Sequence, residues 1–460
     1  MKRLLLSLSF VILQLSLSVA QESLPQKSIY IPEDLRQMDL ACDTSLWSWK
    51  RSAQTQDLIV MWQRGFGGDL QSPPDLDGHP MSFNLSVLME RLQSFYTFFR
   101  DTLGFVSDSS QFIVNSYDYP AAPTAEQRGE GDARLGNHNY KLSTINYNPS
   151  KSDRYKMMVM VMYSLDGTAY GGTYDNFIGG LWVAPNRIQD KTMNCMAHEL
   201  GHSFQSQIMA DSVGQCWGGS PFFEMASQWM LWQVNPWWLR DENYHFEAFR
   251  KLTHKAFLHM ENIYHSPYVL QWWSDLHGRR SIAELFRQGR VGEDPVITYK
   301  RLYGLSQQQF CDEMLLGYQH LVNFDFQHAR QETRPYACTF TTRLQQLPGG
   351  WQQPQDVPEA YGFNAILLDS LTNLSHRSFT LQLRGDHVRH AFVGVTTDGQ
   401  SLYSPIGATT FRVPRGQQLR HLYLVVMGAP AEHQQLYRFT DEGPQPGAQP
   451  QLFPYQFRVK

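Results

Sequence analysis

The segment Met196-Ala197-His198-Glu199-Leu200-Gly201-His202-Ser203-Phe204-Gln205 constrains this chain more than any other stretch. Side chains four residues apart share a helix face, so a helix here aims the imidazoles of His198 and His202 at one point. Glu199 stands beside them, where it can reach a water at that point without serving as a ligand. Met193, Met196, Ala197, Leu200 and Phe204 form an apolar stripe alongside, which gives the helix a face to bury. The rest of the chain must bring a further ligand and a supporting core to this helix.

A catalytic zinc takes three protein ligands and keeps a fourth position open. One extended pattern needs glycine at 205 and histidine at 208, whereas the sequence has Gln205 and Ile208. The other pattern puts a glutamate on the next helix. Gly218-Gly219 breaks the chain, Ser220 reads as an N-cap and Pro221 as the first helical residue. Glu224 then falls in the first turn, among Phe222, Phe223, Met225, Ala226, Trp229 and Met230. A carboxylate in apolar surroundings is costly unless it is paired or binds a metal. Glu224 is therefore the expected third ligand of one zinc per chain, with Asp211 as the competitor. The simpler alternative is a first-turn acid favoured by the helix dipole.

At 460 residues the chain is too long for one core, which predicts two or three domains. Residues 1–20 read as a signal peptide: Lys2 and Arg3, an apolar stretch, then Ser18-Val19-Ala20 before Gln21. Residues 21–330 form the predicted catalytic domain, strand-rich to about 185 and helical from 186. Within it, 84–103 carries a helical stripe, 120–139 is a polar loop, and 157–162 and 177–183 are buried strands. The paired Gly179-Gly180 predicts a bulge or a close backbone approach. Helical periodicity stops near 331, and 348–358 looks like a connector. Short alternating runs then predict an antiparallel β-sandwich over 340–460. The expected fold class is α+β. A formal charge of −4, more negative still without Lys2 and Arg3, gives no electrostatic footprint for nucleic acid. No stretch after the signal is long and apolar enough to span a membrane, and the five cysteines are too few and scattered for a disulfide scaffold.

His198-Glu199-x-x-His202 followed by Glu224 resembles the gluzincin zinc metallopeptidases. The longer form His198-Glu199-Leu200-Gly201-His202-Ser203-Phe204-Gln205 is similar to the H-E-x-G-H-x-x-Q of enhancin-like, mucin-targeting peptidases. It also resembles secreted Bacteroidetes proteins of unassigned function, which carry sequence like Tyr299-Lys300-Arg301-Leu302 before Gln309-Phe310. The resemblance implies a zincin-like domain with an edge strand above the zinc, followed by a helical subdomain. It implies peptide-bond hydrolysis with Glu199 as general base, while the signal peptide predicts a place outside the cytoplasm: secreted, periplasmic or at the cell surface. The implied partner is a protein or peptide substrate, glycoproteins included. Gln228 stands where thermolysin-like members carry an aspartate that holds the first histidine; its amide can accept from the ring but polarises it less.

Tyr264, His265 and Tyr268 follow in the helical region, and Tyr264 is taken as the candidate oxyanion donor. Cys195 shares the helix face of Glu199 and His202, where a buried structural thiol is the simpler reading. The tryptophans between 182 and 273 suit a core, or sugar-stacking platforms. The competing reading of the whole chain is a surface protein that keeps this scaffold and binds glycan or protein without turnover.

Overall fold

The computed structural model describes residues 26–106, 150–167, 169–211, 221–437 and 449–460. The expected signal peptide, the polar loop 120–139, Ser220 and Cys216 lie outside them.

The first layer is a five-stranded sheet in the order β1-β2-β3-β5-β4. Its strands are β1 (Ser52–Gln54), β2 (Leu58–Trp62), β3 (Met157–Val161), β4 (Ala169–Tyr174) and β5 (Ile178–Val183). β2, β3 and β5 run parallel, and β1 and β4 close the edges antiparallel. The middle strands are buried on both faces, so β3 reads Met-Met-Val-Met-Val without alternation. Helix α1 (Leu85–Thr97) starts where the Asn84 side chain accepts from Val87 N–H, and buries Leu88, Leu92, Phe95 and Tyr96.

Helix α2 (Asn194–Ala210) lies across β4 and β5. Ser203 Oγ donates to the Gly180 carbonyl at 2.7 Å, and Gln207 Oε1 accepts from Gly179 N–H at 2.7 Å. β5 keeps a regular register with both neighbours, and a Cβ on Gly179 would meet the Met157 side chain. The predicted bulge or close backbone approach is therefore not at Gly179-Gly180. It is at Gly171 on β4, where a Cβ would overlap the Glu199 carbonyl oxygen.

Helices α3 (Pro221–Val234), α4 (Asn243–Leu252), α5 (Tyr268–His277), α6 (Ser281–Gln288), α7 (Pro295–Tyr303) and α8 (Gln307–Val322) follow. Trp229, Trp232, Trp238 and Trp273 are fully buried among them, so these four are core and not platforms. No described helix is long and apolar enough to cross a membrane.

The chain ends in two antiparallel sheets, ordered β11-β10-β13-β8 and β12-β9-β14-β7-β6. Their strands are β6 (Leu344–Gln346), β7 (Gln352–Pro354), β8 (Phe363–Leu367), β9 (Ser378–Arg384), β10 (Val388–Thr396), β11 (Ser401–Tyr403), β12 (Thr410–Arg412), β13 (Leu419–Gly428) and β14 (Gln456–Val459). Part of the predicted connector is thus strand β7, which pairs with β6 just before it. β13 shows why its sequence is an unbroken apolar run: Leu422, Leu424 and Val426 face the second sheet, while Tyr423, Val425 and Met427 join the helical core. The fold is mixed α+β with several antiparallel pairings.

Candidate metal centre

α2 and α3 pack side by side, and the glycine inside the histidine motif permits it: a Cβ on Gly201 would stand 2.8 Å from Ser227 Oγ. That approach brings the first turn of α3 against the histidines. Glu224 Oε2 stands 3.0 Å from His198 Nε2 and 3.1 Å from His202 Nε2, and the two ring nitrogens are 3.0 Å apart. The rings are nearly perpendicular, at 84°. His198, His202 and Glu224 are thus together, and among the described residues they form the one cluster of three such side chains able to share a metal ion.

The donor set suits zinc. Ligands at about 2.0–2.1 Å around a tetrahedral ion stand roughly 3.3 Å from one another, close to the spacing of these three atoms. Two imidazoles and one carboxylate are also the donor types that zinc takes in hydrolytic sites.

The competitor Asp211 sits at the far end of α2, accepting from Lys151 N–H and Gln207 Nε2, each at 2.9 Å, and from Ser150 Oγ. Burial pushes its carboxyl up to about 6. It takes no part in the cluster.

Glu199 is half-buried beside the histidines, and its Oε2 accepts from Gly171 N–H at 2.9 Å. Burial raises its carboxyl above the usual range, against the opposing pull of His198 and His202. Burial pushes Glu224 the same way, but the two imidazoles against its Oε2 prevail and hold it well below its ordinary value. His202 is raised: burial disfavours its charged form, yet Glu224 and then Glu199 outweigh it.

His198 Nδ1 bonds Gln228 Oε1 at 3.0 Å, the contact expected of that amide. Tyr264 is 37% exposed with its ring centre 5.9 Å from that of His198, so it borders the site. Tyr268 is buried in the core, and His265 bonds His245. Cys195 is half-buried, and burial pushes its thiol up to about 12. Cys42, Cys195, Cys311 and Cys338 are free thiols.

In the sequence Gln205 is visible as the end of the motif but has no role, and β4, Gly171 and Ser227 are not singled out. Tyr170-Gly171-Gly172-Thr173 carried the usable signal: paired glycines between strand-forming residues, where another backbone comes close.

A family described as a family of unknown function (DUF6055) matches residues 21–117 and 138–460. No curated protein matches the chain.

Proposed function

We propose that this chain, which belongs to the DUF6055 family of unknown function, is an exported zinc-dependent peptidase with a zincin-like catalytic domain of gluzincin type. His198, His202 and Glu224 would hold the ion. The observation that carries the reading is the meeting of three ligand atoms, from two helices, at 3.0–3.1 Å. Edge strand β4 lying on α2, with helices following, supports the zincin-like arrangement.

Bound zinc supplies Lewis acidity towards a peptide carbonyl and lowers the pKa of water. Glu199 takes a proton from the attacking water and returns it to the amine as the C–N bond breaks. The Gly171 N–H holds Oε2, which leaves Oε1 for that proton. A carboxyl raised by burial is closer to the matched strength of a base working near neutral pH. Tyr264, whose ring borders that of His198, would donate to the developing oxyanion. The two sheets at the C-terminal end have no role assigned, since a fold alone assigns none.

The test is a substrate-profiling digest with wild type and Glu199→Gln, both loaded with zinc. Cleavage is expected to fall on the order of 10²–10⁴-fold with zinc content unchanged. Unchanged cleavage removes Glu199 as the base. Zinc-replete protein that cleaves nothing in either form favours the non-catalytic binding protein.

A further inference from the structure

Four buried polar side chains around the cluster are not metal ligands: Gln205, Ser227, Gln228 and His245. Two of them are amides, and each amide contacts one of the two histidines. His198 Nδ1 meets Gln228 Oε1 at 3.0 Å, and His202 Nδ1 meets Gln205 Oε1 at 3.1 Å.

Which end of each amide faces its ring is dictated by a backbone carbonyl. Gln228 Nε2 lies 3.2 Å from the Tyr264 carbonyl oxygen, and Gln205 Nε2 lies 3.1 Å from the Phe223 carbonyl oxygen. A carbonyl can only accept, so each amide must turn its NH₂ towards it. The amide oxygen is then left facing the imidazole. That oxygen can only accept as well, so each Nδ1 carries a proton, shared at His202 with Ser227 Oγ at 3.2 Å, and in the neutral rings both Nε2 atoms are bare. Gln205 is fully buried and Gln228 is 3% exposed, so reversing either amide would leave polar groups unsatisfied away from water.

We propose that Gln205 and Gln228 are positioning residues that preset the tautomer of both histidines, turning two bare Nε2 lone pairs onto the Glu224 carboxylate before any ion arrives. The inference rests on the zinc reading of the same three side chains. Its physical consequence, with both rings neutral, is a pocket of three acceptors, an arrangement that is unfavourable until a cation, a proton or a metal ion, fills it. Each helix contributes to both functions: α2 supplies His198, His202 and Gln205, and α3 supplies Glu224, Gln228 and the Phe223 carbonyl that orients Gln205. An amide also cannot titrate, so the preset holds across a pH range in which a carboxylate in its place would change charge. With neutral partners behind both rings, Glu224 is the sole anion among the ligands and the residues backing them, and the loaded centre keeps a net positive charge that favours polarising a carbonyl.

The test uses full-length protein, wild type, Gln228→Leu and Gln205→Leu. Zinc affinity is read by competition with a chromophoric chelator, and each variant is expected to bind about 10–100-fold more weakly. Histidine-selective ¹⁵N spectra of the zinc-free protein at alkaline pH read the tautomers directly. In wild type, His198 and His202 should both carry the proton on Nδ1. Gln228→Leu should release that preference at His198 alone, and Gln205→Leu at His202 alone, a selectivity that a merely structural role would not give. Nε2-protonated rings in wild type overturn the proposal even if neither variant folds, as do variants with wild-type affinity and unchanged tautomers. Wild type with Nδ1-protonated rings and no affinity for zinc would leave the preset standing and overturn the zinc reading instead.

Discussion

Two pairs of histidines lie on either side of Gln228, and they are built to opposite ends. In the first, the bare Nε2 atoms of His198 and His202 face each other at 3.0 Å with Glu224 Oε2 equally close. In the second, His245 Nδ1 meets His265 Nδ1 at 2.8 Å. Gln228 Nε2 donates to His245 Nε2 at 3.1 Å, so His245 carries its proton on Nδ1 and donates it to His265. One proton satisfies that pair. The Glu242 carboxylate stands 3.6 Å from His245, outside hydrogen-bond distance. Burial, then His265 and His198, pushes His245 down to about 3, and burial lowers His265 too, whereas His202 is raised. Closeness of imidazoles therefore does not make a cation site; a carboxylate among converging lone pairs does.

Removing that carboxylate should erase the difference. Glu224→Gln puts a neutral amide between His198 and His202, and metal analysis should fall from about one zinc per chain to nearly none. Retention of a full equivalent would mean that the two rings alone suffice. A smaller loss is expected from Gly171→Val, because a side chain there overlaps the Glu199 carbonyl and must push β4 off α2. Overpacking of this kind costs about 1–3 kcal/mol, read by denaturant unfolding, and peptide cleavage should fall while zinc stays bound.

His265→Phe tests the second pair. It leaves the buried His245 donor without its partner, at about 1–3 kcal/mol of stability, while zinc content stays at the wild-type level. The smallest effect is a pH dependence. His245 has a folded pKa below its unfolded one, so the unfolded chain takes up the proton first as pH falls. Its contribution to stability is complete above about pH 6.5 and declines as pH drops from there towards 3. Tm should fall between about pH 7 and pH 5 less steeply in His245→Phe than in wild type.

The elements that sequence made visible share a cause. The helix of His198 and His202, the first-turn Glu224 and strands β3, β5, β8, β9, β10, β13 and β14 all carry strong apolar patterning or special residues at fixed offsets. β4 escaped because Ala-Tyr-Gly-Gly-Thr-Tyr has little apolar content; its role comes from lying on α2, which only the assembled fold supplies. Gln205 stood in the motif, but its contact with His202 escaped for a related reason. A glutamine on a helix reads as solvent-facing, and its burial depends on α3 offering the Phe223 carbonyl and Ser227 Oγ. β7 is short and follows Pro348-Gly349-Gly350, so it reads as linker until β6 and β14 pair with it. Asp211 looked like a plausible ligand by spacing alone, and Ser150, remote in sequence, is one of the groups that holds it.

Zinc K-edge X-ray absorption on the full-length protein, loaded with one equivalent of zinc, tests the central claim most directly. Two imidazole nitrogens and carboxylate or water oxygens at about 2.0–2.1 Å, with one imidazole lost in His198→Ala, are the predicted result. A fully hydrated ion with no imidazole scattering, or a spectrum unchanged by His198→Ala, would contradict it.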